Sequence, residues 1–439
     1  MLPIDMSSLP GWMARQRWFG GKGAAIASVQ DVDRAQISPG LLLAMVEVAY
    51  AAGRPPERYA LALRPWTGAG GIAEGLDDDA ARALFGIVRG RLRVATAAGA
   101  LQGERFDGSG SALERAAKVP AVRRLSAEQS NTSLVFDDKV ILKLIRKLEP
   151  GVNPELEIGA FLARKGFAAT PPLLGAISLQ GELPATVAVA HQFVRVESDG
   201  WSYVLEAFRR APSPPPALLE EIGDLGRRVG ELHATLASDP AHPAFAPETI
   251  RREDLQRWTQ ALLADLDQTV EAARSAVPEL TSRRPALEAR IRRLASIEPS
   301  GVRIRQHGDL HLGQVLRSGG RWLIFDFEGE PARPLPERRA KHCPLKDVAG
   351  MLRSFAYAGA TVEREGAPPA DRAGPARAAF LRGWRTAAAG LLPRDEVAAR
   401  VLLDSLELEK LLYELRYEVG HRPDWVPIPA RDLLGGEGP

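Results

Sequence analysis

The sequence predicts an α+β protein, with strands concentrated in roughly the first 196 residues and helices in the rest. Two observations carry this reading. Short apolar runs separated by Gly, Pro or Asp turns dominate the first part, whereas apolar residues recur at three- and four-residue steps through most of the second. The length, 439 residues, fits two or three domains at about 150 residues each.

Taken in order, residues 41–48 and 59–63 read as strands separated by the turn segment Ala52-Gly53-Arg54-Pro55-Pro56. Asp77, Asp78 and Asp79 cap a helix over residues 80–88. Residues 123–125 and 133–136 form a strand pair around the polar turn 126–132. After a tight turn at Asp137-Asp138-Lys139 comes an apolar strand over 140–145 that carries a single cation, Lys143. Asn153-Pro154 opens a helix to about residue 163. Residues 187–190, with Phe193 and Val194, make one more strand. Beyond the proline-rich loop 211–216 lies an amphipathic helix on Leu218, Ile222, Leu225, Val229, Leu232 and Leu236, whose His233 reads as structural. Helices are expected over 251–275, 285–294, 345–358, 371–391 and 395–418, with short strands at 302–304, 315–316 and 322–325.

Composition removes several function classes. Hydrophobic residues make up 45% and charged residues 26%, as in an ordinary folded chain. Lys plus Arg number 57 and Asp plus Glu 55, a net charge of +2, which gives no basis for a nucleic-acid or membrane partner. A single cysteine, Cys343, excludes an intramolecular disulfide framework and a multi-cysteine zinc site. Met1-Leu2-Pro3-Ile4-Asp5 lacks the basic-then-apolar pattern of a secretory signal, and no apolar run reaches about 18 residues, so a cytoplasmic location is expected.

The chemistry concentrates around residues 305–331. Two strand-like runs flank a turn at Ser318-Gly319-Gly320, a hairpin that returns the chain and brings Asp326 back beside a polar loop bearing Asp309 and Gln314. Two carboxylates and an amide oxygen are hard donors suited to Mg²⁺ rather than zinc. Phosphoryl transfer needs such a metal, together with a carboxylate that orients the attacking hydroxyl. His307 and His311 flank Asp309 and read as braces for the loop. Lys410, Tyr413, Glu414 and Tyr417 recur at helical spacing and make one polar-aromatic face, which reads either as a surface helix with an ordinary Lys410–Glu414 pair or as a face that binds a sugar.

The run His307-Gly308-Asp309, Gln314, Ile324-Phe325-Asp326 resembles the catalytic segment of the aminoglycoside-phosphotransferase-like kinases, with Gln314 where that family usually has Asn. The resemblance is closer still to bacterial maltokinases. Glu128-Gln129-Ser130-Asn131-Thr132-Ser133, Asp326-Phe327-Glu328-Gly329-Glu330-Pro331, the segment 344–355, His421-Arg422-Pro423 and Arg15-Gln16-Arg17-Trp18-Phe19 are all similar to their signature runs.

That resemblance implies a bilobal kinase: a cap subdomain over residues 1–95, a β-rich lobe over 96–196 and a helical lobe over 197–439, with ATP and Mg²⁺ as cofactors. It implies Asp309 as the catalytic carboxylate, and Gln314 and Asp326 as Mg²⁺ ligands. Lys143 would contact the ATP phosphates with Glu157 as its ion-pair partner. Ser130, Thr132 and Ser133 would line the phosphate loop, Gln192 and Val194 would pass the adenine, and Lys410, Tyr413 and Glu414 would hold the acceptor. The implied reaction is phosphorylation of maltose at its anomeric hydroxyl to maltose 1-phosphate, feeding α-glucan synthesis from trehalose in functional association with trehalose synthase. Glucosamine, or another amino sugar, is the alternative acceptor.

Overall fold

A computed structural model describes residues 6–51, 53–64, 73–108, 110–125 and 131–435. The chain forms two compact units, Met1–Arg195 and Val196–Pro439.

The first unit is built on two antiparallel sheets. Ile26–Ser38, Leu41–Tyr50 and Glu57–Arg64 form a meander that Lys147–Leu148 extends along the edge of Glu57–Arg64. The middle strand reads as one apolar run because both its faces are covered. Leu41, Leu43 and Met45 join a cluster with Leu84, Phe85 and Val88 of the helix Asp78–Arg89. Ala44, Val46 and Val48 point the other way, onto Leu9, Met13, Trp18 and Phe19. Successive side chains alternate between faces, so such a strand has no polar side to show.

The second sheet has seven strands in the order Arg93–Ala95, Gly99–Arg105, Leu173–Gly181, Ala185–Gln192, Val140–Ile145, Asn131–Phe136 and Val122–Arg124. Asp137 and Asp138, at φ of +51° and +49°, bend the three-residue connection Asp137-Asp138-Lys139 between Asn131–Phe136 and Val140–Ile145. Asp137 also accepts the amides of Ala117 and Ala121 at 2.7 and 2.8 Å. The strand expected to include Phe193 and Val194 ends at Gln192, the last residue in register with Val140–Ile145. Two central strands carry glycines that blunt their sequence signal. A Cβ at Gly103 would sit 2.0 Å from Ile87 O, and one at Gly175 would sit 2.4 Å from Val88, so the helix Asp78–Arg89 packs closely only because side chains are missing there. The cap boundary expected at residue 95 falls inside the hairpin of Arg93–Ala95 and Gly99–Arg105.

A buried carboxylate ties the meander to its edge strand. Glu57 accepts Tyr50 Oη at 2.5 Å, Tyr59 Oη at 2.6 Å, and Arg54 and Lys147 Nζ at 2.8 Å each. Burial alone would push this carboxyl up, but Lys147, the two phenols and Arg54 together bring it down to about 2. A folded-state value below the unfolded one adds stability that is present above about pH 4.5 and lost as pH falls toward 2. Glu57→Gln should therefore lower the urea midpoint at pH 7 and flatten the acid limb of stability between those limits. An unchanged midpoint at pH 7 would show that the cluster contributes nothing net.

The second unit is helical: Gly200–Arg210, Pro216–Leu236, Arg252–Ala272, Leu280–Ser296, Leu345–Arg364, Ala373–Ala388, Glu396–His421 and Pro427–Gly435, with one hairpin, Val315–Ser318 and Arg321–Ile324. Cys343 is buried, and burial pushes its thiol up to about 12, which leaves it inert. Among the described residues no helix is long and apolar enough to cross a membrane.

Candidate active site

In the first unit the lysine expected from sequence is paired, but with a different acid. Asn153 caps the helix Pro154–Lys165, accepting the Glu155 amide at 2.8 Å, so Glu155 lies in the first turn. Lys143 Nζ lies 3.0 Å from Glu155 Oε2, and both side chains are largely buried. The expectation of Glu157 is thereby corrected: two residues further on, it is displaced by about 200° around the helix axis. His191 Nε2 lies 3.1 Å from the second Glu155 oxygen, without hydrogen-bond alignment, while Nδ1 faces Pro171 O at 3.2 Å. Burial would raise the Glu155 carboxyl; Lys143 and His191 instead hold it far below the usual carboxylate range.

Thr132 and Ser133 do not form an open loop. Both lie within the strand Asn131–Phe136, in register with Leu144 and Lys143, and both are buried. The Thr132 hydroxyl accepts from the buried Arg146 guanidinium at 2.9 Å. The phosphate contacts expected of these two side chains are corrected on that ground. Ser130 lies outside the described residues. Gln192 closes its strand with its amide on Pro172 O at 2.9 Å, and Val194 follows past the ladder.

In the second unit the loop that carries Asp309 hangs on one buried acid. Gly308, at φ +87°, turns the chain, and Asp347 accepts the amides of His307 at 2.8 Å and Gly308 at 2.9 Å. Trp384 Nε1 donates to His233 Nδ1 at 3.0 Å, which leaves the proton on His233 Nε2 to donate to Asp347 at 3.0 Å. His307 braces the loop: its Nδ1 accepts the Asp309 amide, and Nε2–H donates to Phe325 O at 2.9 Å. His311 caps the short turn Leu312–Gln314 through the Gly313 amide. Both histidines act as the sequence suggested.

Gln314 and Asp326 meet. Gln314 Nε2 donates to Asp326 Oδ2 at 3.1 Å, which turns the amide oxygen away from that contact. Asp326 holds φ +67°, a strained value that Asp tolerates better than most residues and that sets its direction after the strand. An amide oxygen and a carboxylate are hard donors, and turning the Gln314 amide over would bring its oxygen beside Asp326, an arrangement that suits Mg²⁺.

Lys410 Nζ lies 3.0 Å from Asp309 Oδ1 and 3.5 Å from Glu330. Burial would raise the Asp309 carboxyl, but Lys410, with His311 and His307 nearby, holds it below the ordinary carboxylate range. The same pairing overcomes burial at Lys410 and raises its ammonium. Asp309, Lys410 and Tyr413 line a cleft with Glu330, Glu409 and Asp265. A second cavity, of about 380 Å³, is bordered in part by the same residues, Asp265, Glu330, Arg333 and Glu409, and reaches Trp258. Glu414 is corrected as an acceptor ligand. It is bound to buried Arg353 at 2.8 Å, which also holds Asp432 at 2.7 Å; a buried guanidinium needs such partners.

Residues 121–332 match the phosphotransferase enzyme family, and residues 12–98 match the maltokinase N-terminal cap domain. A glucosamine kinase from Mycolicibacterium smegmatis is 31% identical over 322 residues, covering 71% of this chain and 78% of that one. The chain belongs to the phosphotransferase enzyme family. A glucosamine kinase from Streptacidiphilus jiangxiensis is 30% identical over 337 residues, covering 73% of this chain and 75% of its own. Among solved structures, a glucosamine kinase in complex with glucosamine, ADP and inorganic phosphate aligns at a TM-score of 0.72 and 25% identity over 99% of both chains. A second crystal form aligns at 0.74 and 24% identity, over 98% of this chain and 99% of that one. The protein is thus a kinase of that family, α+β, with a sheet-rich N-terminal region, a helical C-terminal region and an N-terminal cap.

Acids the sequence reading missed now stand out in this phosphotransferase. Asp347 is the one acid in the apolar stretch 345–352, a signal of a buried, partnered charge. Glu155 sits beside the expected Glu157, and spacing alone does not separate them. Lys143→Ala should lower kcat/KM for the nucleotide on the order of 10²-fold and leave the buried Glu155 without its lysine, destabilising the first unit by about 3 kcal/mol. Steady-state rates and urea unfolding on the same preparation test both effects.

Proposed function

We propose that the chain is an ATP-dependent sugar kinase that phosphorylates maltose at its anomeric hydroxyl, giving maltose 1-phosphate and ADP. The observation that carries this reading is a second cavity bordering the cleft at Asp309, Lys410 and Tyr413. It has about 380 Å³, shares Asp265, Glu330, Arg333 and Glu409 with that cleft and reaches Trp258. That volume lies in the range of about 300–1,000 Å³ typical of small-molecule pockets. The maltokinase-type cap over residues 12–98 supports the same acceptor.

Asp309, ionised at neutral pH beside Lys410, would orient the anomeric hydroxyl and take its proton as the bond to phosphorus forms. Lys410, shared between Asp309 and Glu330, keeps that carboxylate fixed. Gln314, through its amide oxygen, and Asp326 would hold Mg²⁺, which when bound neutralises charge on the phosphates. Lys143, kept in place by Glu155, would contact those phosphates, with Ser130 nearby in sequence and Gln192 and Val194 passing the adenine. Trehalose synthase, as a source of maltose, belongs to this reading.

Glucosamine is the second reading. Two relatives are glucosamine kinases, and Glu330, Glu409 and Asp265 put carboxylates along the cleft that could receive an ammonium. Each already faces a cation: Lys410, Lys346 at 2.7 Å and Arg416 at 3.3 Å, respectively. Initial rates with ATP, Mg²⁺ and either sugar decide. A kcat/KM at least tenfold higher for maltose is expected; a preference for glucosamine overturns the maltose assignment.

A further inference from the structure

We infer that the far end of the acceptor cavity, at Trp258, is a subsite for a second pyranose ring, the non-reducing ring of an α-linked disaccharide. The inference rests on the maltose reading and adds a residue that determines acceptor length.

The helix Arg252–Ala272 supplies the wall. Asp265 borders both the catalytic cleft and the larger cavity, whereas Trp258 borders only the latter. They are seven residues apart, two helical turns, so they share a face and stand about 10 Å apart along the axis. Two linked rings span the distance from Asp265, at the edge of the cleft, to Trp258; one ring does not.

Trp258 offers chemistry that no nearer residue of that wall has, since Ala261 and Leu262 lie between it and Asp265. Its indole is partly exposed in a cavity lined both by apolar side chains, Leu262, Leu294 and Leu402 among them, and by charged ones, including Arg257, Glu337 and Arg338. An aromatic plane with hydrogen-bonding groups beside it matches a pyranose, whose C–H face is apolar and whose edge carries hydroxyls.

The ring is also held before any ligand arrives. Trp258 stacks on His342 with centroids 4.2 Å apart and planes at 26°. His342 is fixed in turn: its Nδ1 accepts the Cys343 amide at 2.9 Å, and its backbone exchanges two bonds with Ile304 at 2.9 and 3.0 Å. Burial keeps this imidazole neutral, its value lowered to about 3, so no charge competes for the indole at neutral pH. A platform ordered in advance loses little entropy on binding.

Trp258→Ala and Trp258→Phe test the assignment, with maltose and glucose compared as two-ring and one-ring acceptors. Trp258→Ala should raise KM for maltose about tenfold, leave kcat within about threefold, and leave KM for ATP and the rates on glucose unchanged. Trp258→Phe, which keeps an aromatic face, should recover most of the maltose affinity. In the wild-type chain maltose should change indole emission more than glucose does, and that difference should vanish in Trp258→Phe, a readout that survives poor folding of the alanine variant. If wild type uses maltose but both variants keep its KM, the subsite is wrong and the maltose reading stands. If wild type shows no advantage of maltose over glucosamine, the reading fails and the subsite with it. A loss that falls equally on maltose and glucose assigns Trp258 to packing and overturns the inference.

Discussion

Asp309→Asn should lower kcat by about 10²–10⁴-fold while the unfolding midpoint stays near that of the wild type. The substitution keeps the shape of the side chain and removes its charge and its ability to take a proton. The loop does not depend on that charge. His307 and Gly308 hang from Asp347, and Lys410 keeps Glu330 as a partner. Steady-state rates and urea unfolding measure the two halves, and near-normal turnover would remove Asp309 from the reaction. The pH profile carries a further consequence. On the proposed role for Asp309 the active form is the ionised one, and burial opposed by Lys410 leaves its carboxyl below the ordinary range. Activity should therefore rise with pH through a limb lying below about 3.9 and be flat above it. Lys410→Ala removes the cation, so the limb should move up in pH; a limb that stays put would show that Lys410 does not tune Asp309.

Asp347→Ala should cost both stability and activity. The carboxylate accepts three buried donors: the amides of His307 and Gly308, and His233 Nε2–H. Alanine leaves all three without an acceptor, and each buried unsatisfied donor costs about 1–3 kcal/mol, so a loss of about 3–5 kcal/mol is expected. Activity falls as well, because the amides released are those immediately before Asp309. Burial would raise the Asp347 carboxyl, but His233, His307 and the Gly308 amide bring it below its usual value. Its contribution is therefore present above the unfolded carboxylate range and lost as pH falls through the lower folded value. Trp384→Phe gives a graded control, since it removes the bond that fixes the His233 tautomer and leaves Asp347 in place. If Asp347→Ala keeps wild-type turnover, the loop is held by something else.

Much of the site was legible because its signals are local. Asp309, Gln314 and Asp326 are joined by a hairpin whose Ser318-Gly319-Gly320 turn fixes where the chain comes back. Lys143 was legible as a lone cation on an apolar strand, since a buried ammonium requires an acid. The missed features all depend on which way an element faces. Glu155 and Glu157 sit on one helix with the same local sequence credentials. Lys410 and Glu414 are one helical turn apart, yet Lys410 reaches Asp309 while Glu414 is drawn to Arg353, sixty-one residues back along the chain.

The sequence by itself determined the α+β composition, most helices and strands, and the pairing of Gln314 with Asp326 across a hairpin, because turns, caps and periodicity are written within a few residues of one another. The tertiary structure decided that Glu155 partners Lys143, that Thr132 and Ser133 are sealed in a strand, that Asp347 suspends the loop, and that a second cavity reaching Trp258 borders the cleft at Asp309. Helix phase and strand depth are set by the surfaces an element packs against, and those surfaces come from distant parts of the chain.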